Sequence, residues 1–257
     1  MKRRRLYAML PNLFTVSSIF CGFYAILMAT NASEPDRFFK AAVAILFAAI
    51  FDTMDGRVAR MTRTESEFGV QLDSLADVIS FGAAPAVLVY QWGLSGLGLF
   101  GLIAAFGFAA CGALRLARFN VQCAKGKGGG GYFVGMPIPL AAVGIVSLVL
   151  LHRKLGGGVA SHQPLIALFV AALSWLMVSR VPYRTFKKVK AQARIFIVLG
   201  AAASVIALGS VIFSFSHVLF AAWVVWSAYG IAEGSVRFLR KRLAPALYSQ
   251  KYPEDEG

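Results

Sequence analysis

Acidic side chains are scarce in this chain. Its 257 residues hold 12 Asp and Glu against 26 Lys and Arg, and charged residues of both signs make up only 15%. A soluble domain carries about a quarter, so a large water-facing surface is excluded. Cysteine is sparse too: Cys21, Cys111 and Cys123 are odd in number and show no CxxC spacing. That excludes a disulfide framework and a thiolate metal site, and the three read as small apolar side chains. There is no P-loop. The glycine run Lys125–Gly131 (K-G-K-G-G-G-G) is not followed by a helix opening with Lys-Ser/Thr, so it reads as a flexible linker or a flap over a site. No internal repeat is present.

Apolar residues fill the space that charge leaves. They make up 58% of the chain, at a mean hydropathy of +0.67. Runs long enough to cross a bilayer as helices, about 17–25 residues, fall near Leu13–Thr30, Phe38–Asp55, Gln71–Gln91, Leu97–Arg115, Pro137–Leu151, Leu165–Val178, Ile195–Phe213 and Val218–Ile231. This predicts an all-α, polytopic transmembrane bundle of about eight spans. It forms one integral-membrane domain over residues 1–257. The first run is longer than the roughly 7–15 apolar residues of a signal peptide. It therefore reads as an uncleaved span, preceded by a basic juxtamembrane segment at residues 1–12. Small residues at Gly107, Cys111–Gly112 and Gly200–Ala203 predict close helix packing.

The excess of basic residues sets an orientation. With both termini in the cytoplasm, only Arg37, Lys40, Arg153 and Lys154 of the 26 fall on the far side, which satisfies the positive-inside rule. The net charge of +14 is then a belt facing anionic lipid head groups, and nucleic acid is not a partner. Residues 243–257 form a cytoplasmic tail. His152, His162 and His217 fall on the far side as loop or interface residues. In a bacterial cell this is an inner (cytoplasmic) membrane protein.

The few acids present are not scattered. Asp52 and Asp55 are three apart, and Asp73 and Asp77 are four apart. On a helix each pair shares one face, with roughly 5–6 Å between Cβ atoms. Two antiparallel helices joined by the polar link near Arg63–Ser66 bring all four together at the cytoplasmic membrane surface. Four carboxylates so placed repel one another unless cations intervene. With no His or Cys nearby, the cage suits a hard ion, Mg²⁺ or Mn²⁺. Two metals can clamp a diphosphate, Arg60 can add contacts to it, and a carboxylate can take a proton from an attacking hydroxyl. A proton relay in a transporter is the rival reading, but such acids lie nearer the midplane.

Asp52-x₂-Asp55-Gly56-x₂-Ala59-Arg60-x₈-Gly69-x₃-Asp73-x₃-Asp77 resembles, at every position, the signature of the CDP-alcohol phosphatidyltransferases. The flanks L-P-N-L-F-T, L-R-L-A-R-F-N and G-M-P-I-P are similar to the membrane-embedded bacterial phosphatidylserine synthases. The resemblance implies attack of L-serine on CDP-diacylglycerol with release of CMP, in a homodimer. It implies metal ligation by Asp52, Asp55, Asp73 and Asp77, with two ions and Asp77 as general base. Gly56, Ala59, Gly69 and Asn12 would then lie at the CDP-lipid, and Arg60 would contact its diphosphate. Serine also carries a carboxylate, and Arg115, Arg118 and Asn120 at the end of the fourth span are candidates to bind it. Glycerol 3-phosphate or inositol phosphate is the alternative acceptor.

Overall fold

The computed structural model describes all residues except Met1, 63–65, 126–131, 156–161, 180–181, 185–214 and 244–257. Helix α1 (Lys2–Thr30) turns into α2 (Arg37–Thr62). Next comes α3 (Glu67–Asp77), which runs on through a π-helical segment, Val78–Ala83, into α4 (Ala84–Val89). A second π segment, Tyr90–Leu94, and a 3₁₀ turn, Ser95–Leu97, end that rod. Four further helices follow among the described residues: α5 (Leu99–Ala124), α6 (Ile138–Leu155), α7 (Gln163–Val178) and α8 (Phe215–Leu243). A small ribbon departs from the all-α expectation: β1 (Tyr132–Val134) pairs antiparallel with β2 (Pro182–Arg184), with Phe133 opposite Tyr183.

Among the described residues, Pro11–Thr30, Glu67–Leu97 and Leu99–Ala124 are long and apolar enough to cross a membrane. The apolar parts of α6 and α7, Ile138–Arg153 and Gln163–Val178, rise only ~24 Å, less than the hydrocarbon core of about 30 Å. Helix α2 is long enough, but charged groups at both of its ends dilute its apolar character. The expected span at Ile195–Phe213, the Gly200–Ala203 pair and most of the Lys125–Gly131 loop lie outside the described residues.

Alanines bring the first two helices close: Ala25 and Ala29 on α1, and Ala41, Ala42, Ala44 and Ala48 on α2, are all buried. Large apolar side chains face outward instead, Phe20, Phe100, Phe106, Leu168 and Trp175 among them. Such a surface is costly in water and suited to hydrocarbon. Gly22 is required at the crossing of α1 and the first π segment, because a Cβ there would stand 2.7 Å from Cα of Ser80. Of the small residues expected to pack helices, Gly112 does so against Ile138, whereas Gly107 meets nothing within 4 Å.

Helix ends differ from the sequence expectation where charges interrupt apolar runs. Helix α2 continues past Asp55 to Thr62, and α5 past Arg115 to Ala124. Backbone hydrogen bonding does not stop at a charged residue whose side chain has polar neighbours in the bundle. The π segment before Pro85 also has a local reason. Proline lacks an N–H and its ring crowds the carbonyl one turn earlier, and a wider turn relieves both problems.

Candidate active site

Two helices supply the acids. Asp52 and Asp55 lie one turn apart on α2, Asp73 and Asp77 one turn apart on α3. Asp52, Asp55 and Asp73 each offer a carboxylate oxygen, all within 4.8 Å of one another. Asp77 stands beside this trio, within electrostatic reach of Asp52 and Asp73. Asp55 and Asp77 are buried, and Asp52 and Asp73 are half-buried.

Neighbouring groups fix these carboxylates. Thr15 on α1 donates through Oγ1 to Asp55 Oδ2 at 2.8 Å, and the same hydroxyl lies 3.1 Å from the Pro11 carbonyl. Ser66 caps α3, its Oγ accepting from the Gly69 N–H at 3.0 Å. Such a cap contributes about 1 kcal/mol to the helix that carries Asp73 and Asp77. A Cβ at Gly69 would lie 3.2 Å from Ser66 Oγ and 3.6 Å from Asn12 Oδ1. Asn12 therefore sits against the start of α3, one turn before Asp73.

The basic candidates take distinct positions. Arg60 is exposed and folds back over Gly56, its Nη1 3.4 Å from where a Cβ would be, within electrostatic reach of Asp55. Ala59, half-buried, precedes it on α2. Arg115 is buried in mid-helix, its Cζ 5.5 Å from the Phe119 ring centroid, within electrostatic reach of both Asp77 and Arg118. Arg118 points elsewhere, donating through Nη2 to the Val178 carbonyl at the end of α7 at 2.7 Å. Asn120 donates through Nδ2 to Ser74 Oγ at 2.9 Å, tying α5 to the helix that bears Asp73 and Asp77.

The donor set matches a hard cation. All the clustered ligand atoms are carboxylate oxygens, the type that Mg²⁺ and Mn²⁺ prefer. In addition, Asp77 Oδ1 is buried with no hydrogen-bond partner among the described residues. A buried carboxylate oxygen left so costs free energy unless a cation or proton meets it.

The chain matches the CDP-alcohol phosphatidyltransferase family over residues 8–181. It belongs to that family. The match spans α1 to α7 and includes all four aspartates. The CDP-diacylglycerol–serine O-phosphatidyltransferase of Helicobacter pylori is 41% identical over 189 residues, 74% of this chain and 77% of that protein. The protein of that name from Bacillus subtilis is 34% identical over 182 residues, covering 70% and 92%. The archaetidylserine synthase of Methanothermobacter thermautotrophicus is 38% identical over 177 residues, covering 68% and 69%. Family membership makes the chain a transferase and leaves the transporter reading without support.

Two hydroxyls are hidden in the sequence: Thr15 is only the last residue of the L-P-N-L-F-T flank, and Ser74 stands in no motif but the interval between Asp73 and Asp77. The available signal was positional: Thr15 follows Asn12 by three residues, on the same face of α1.

Proposed function

We propose that the chain transfers a phosphatidyl group from CDP-diacylglycerol to the hydroxyl of L-serine, releasing CMP. The observation that carries this reading is the carboxylate cluster of Asp52, Asp55 and Asp73 beside the buried Asp77, in a chain of this family. The acceptor is supported by the relatives: their names differ in the lipid, diacylglycerol or archaetidyl, but agree on serine.

Asp52, Asp55, Asp73 and Asp77 would hold two divalent ions, Mg²⁺ or Mn²⁺, which would offset the charge of the diphosphate and of its leaving oxygen. The other steps belong to the chain's own residues. Asn12, Gly56, Ala59 and Gly69 leave room for the cytidine and backbone contact with it, and Arg60 contacts the diphosphate. Asp77 accepts the serine hydroxyl proton as that oxygen bonds to the diacylglycerol-linked phosphorus. The bond from this phosphorus to the bridging oxygen breaks, and CMP departs with the electron pair. Arg115 holds the serine carboxylate. Its burial and its reach to Asp77 favour it over Arg118, which is engaged with α7, while Asn120 keeps α5 in register with α3.

The whole chain, residues 1–257, forms one domain of about eight spans with both ends in the cytoplasm. It lies in the inner membrane as a homodimer. The aspartates then face the cytoplasm, where a membrane-held nucleotide lipid and a soluble amino acid meet. An acceptor screen with serine, glycerol 3-phosphate, inositol, inositol phosphate and choline tests the assignment. Serine alone should yield lipid product, and preferential use of another alcohol would move the chain elsewhere in the family.

A further inference from the structure

A second site lies at the other end of the bundle. Helix α2 begins at Arg37 and reaches Asp52 ~22 Å further along its axis, at 1.5 Å per residue. At the Arg37 end, a cleft of about 380 Å³ is lined by Glu34, Asp36, Arg37, Phe39, Trp92 and Arg153. A second cavity of about 450 Å³ continues from it, sharing Phe39, Leu150 and Arg153 and reaching Ser216 on α8. Each falls within the roughly 300–1,000 Å³ of ligand pockets. Neither can belong to the aspartate cluster.

The lining is organised. Arg153 Nη2 meets Asp36 Oδ2 at 3.1 Å, while its Cζ stands 4.3 Å from the Phe39 ring centroid. Arg37 lies over Phe38, Cζ to centroid 4.6 Å, and has no carboxylate at salt-bridge distance among the described residues. Glu34 pairs with Lys40. Trp92 is held edge-on by His152, ring centroids 5.3 Å apart. Guanidinium groups fixed on aromatic faces keep most of their N–H donors free.

Charge and position together narrow the ligand. Glu34 is paired with Lys40 through Oε1 and Asp36 with Arg153 through Oδ2, so each acid keeps one oxygen outside its pair; a purely anionic ligand would meet both acids, and a simple cation would meet Arg37 and Arg153. A phosphate and an ammonium in one molecule satisfy both pairs. The cleft sits at the charged start of α2 and the charged end of the apolar stretch Ile138–Arg153, a tryptophan forms part of its wall as is common at membrane interfaces, and an apolar cavity adjoins it.

We propose that this cleft binds a phospholipid with a zwitterionic phosphate–ammonium head group. The phosphate rests on Arg37 and Arg153, the ammonium faces Glu34 and Asp36, and an acyl chain lies along Phe39 and Leu150. The inference rests on the bundle spanning a membrane, and not on which alcohol the aspartate site uses.

The test is native mass spectrometry of the full-length protein released from bilayer discs of equal phosphatidylethanolamine and phosphatidylglycerol. Arg37→Gln alone and the double variant Arg37→Gln, Arg153→Gln are compared with the unaltered protein. The expected result is retained phosphatidylethanolamine that falls about tenfold in the double variant, the scale of a lost charge-assisted contact, and less in the single one. Phosphatidyl transfer, assayed separately, stays at the unaltered level in both, which separates a failure here from a failure of the functional assignment. Equal retention by all three proteins overturns the proposal. So does equal retention of phosphatidylglycerol, which removes the ammonium contact, or displacement of the lipid by millimolar inorganic phosphate, which assigns the arginines to a free anion.

Discussion

Thr15 and Asp55 join the first helix to the carboxylate cluster, the threonine hydroxyl donating to Asp55 Oδ2 at 2.8 Å across forty positions of sequence. Both residues are buried, so no water readily replaces the bond. It fixes one rotamer of a carboxylate proposed to ligate metal, which is how outer-sphere partners act in metal sites.

Thr15→Val keeps the volume and removes the donor. Mn²⁺ affinity, read by the loss of the free-ion paramagnetic resonance signal, should fall about tenfold, at the low end for outer-sphere partners. Unchanged affinity would make the bond a packing detail.

Asp77→Asn keeps the shape of the side chain and removes the proposed base. Turnover should drop by about 10²–10⁴-fold, the usual range for a general base. CMP binding by calorimetry should persist, because the trio Asp52, Asp55 and Asp73 remains. A variant with full activity would assign the proton to another group.

Arg115 and Arg118 should separate by kinetics. Arg115→Ala is expected to raise the KM for serine about tenfold, the scale of one charged hydrogen bond, with little change for CDP-diacylglycerol. Arg118→Ala loses its bond to the Val178 carbonyl and should mainly lower thermal stability, by about 1–2 kcal/mol. The reverse pattern would exchange their roles.

Gly135 precedes α6 with φ of +82°, and a Cβ there would stand 2.2 Å from the Met177 carbonyl oxygen. The next residue, Met136, donates its N–H to the Leu176 carbonyl at 3.1 Å. Gly135→Ala therefore strains the backbone and pushes the loop off α7. A loss of about 1–3 kcal/mol or more is expected, seen as a lower unfolding temperature in detergent. An unchanged temperature would mean that the loop relaxes freely.

The acids were legible from spacing alone, because intervals of three and four residues put each pair on one helix face. The helices were legible as apolar runs, except where charges interrupted them. Arg115 looked like the end of a span and is buried in mid-helix, since hydropathy registers the charge but not the nearby Asp77. The Thr15–Asp55 and Asn120–Ser74 bonds join residues far apart in sequence and leave no local pattern. The π segments were hidden too. Only Pro85 hints at the first of them, through the carbonyl it crowds one turn earlier.

The most direct test of the central claim follows two products at once. Full-length protein is supplied with CDP-diacylglycerol, labelled L-serine and Mg²⁺ or Mn²⁺, and both CMP and labelled lipid are measured. Equal amounts of the two are expected, with neither formed when the divalent ion is chelated. CMP released without label entering lipid, or labelled lipid formed without CDP-diacylglycerol, would contradict it.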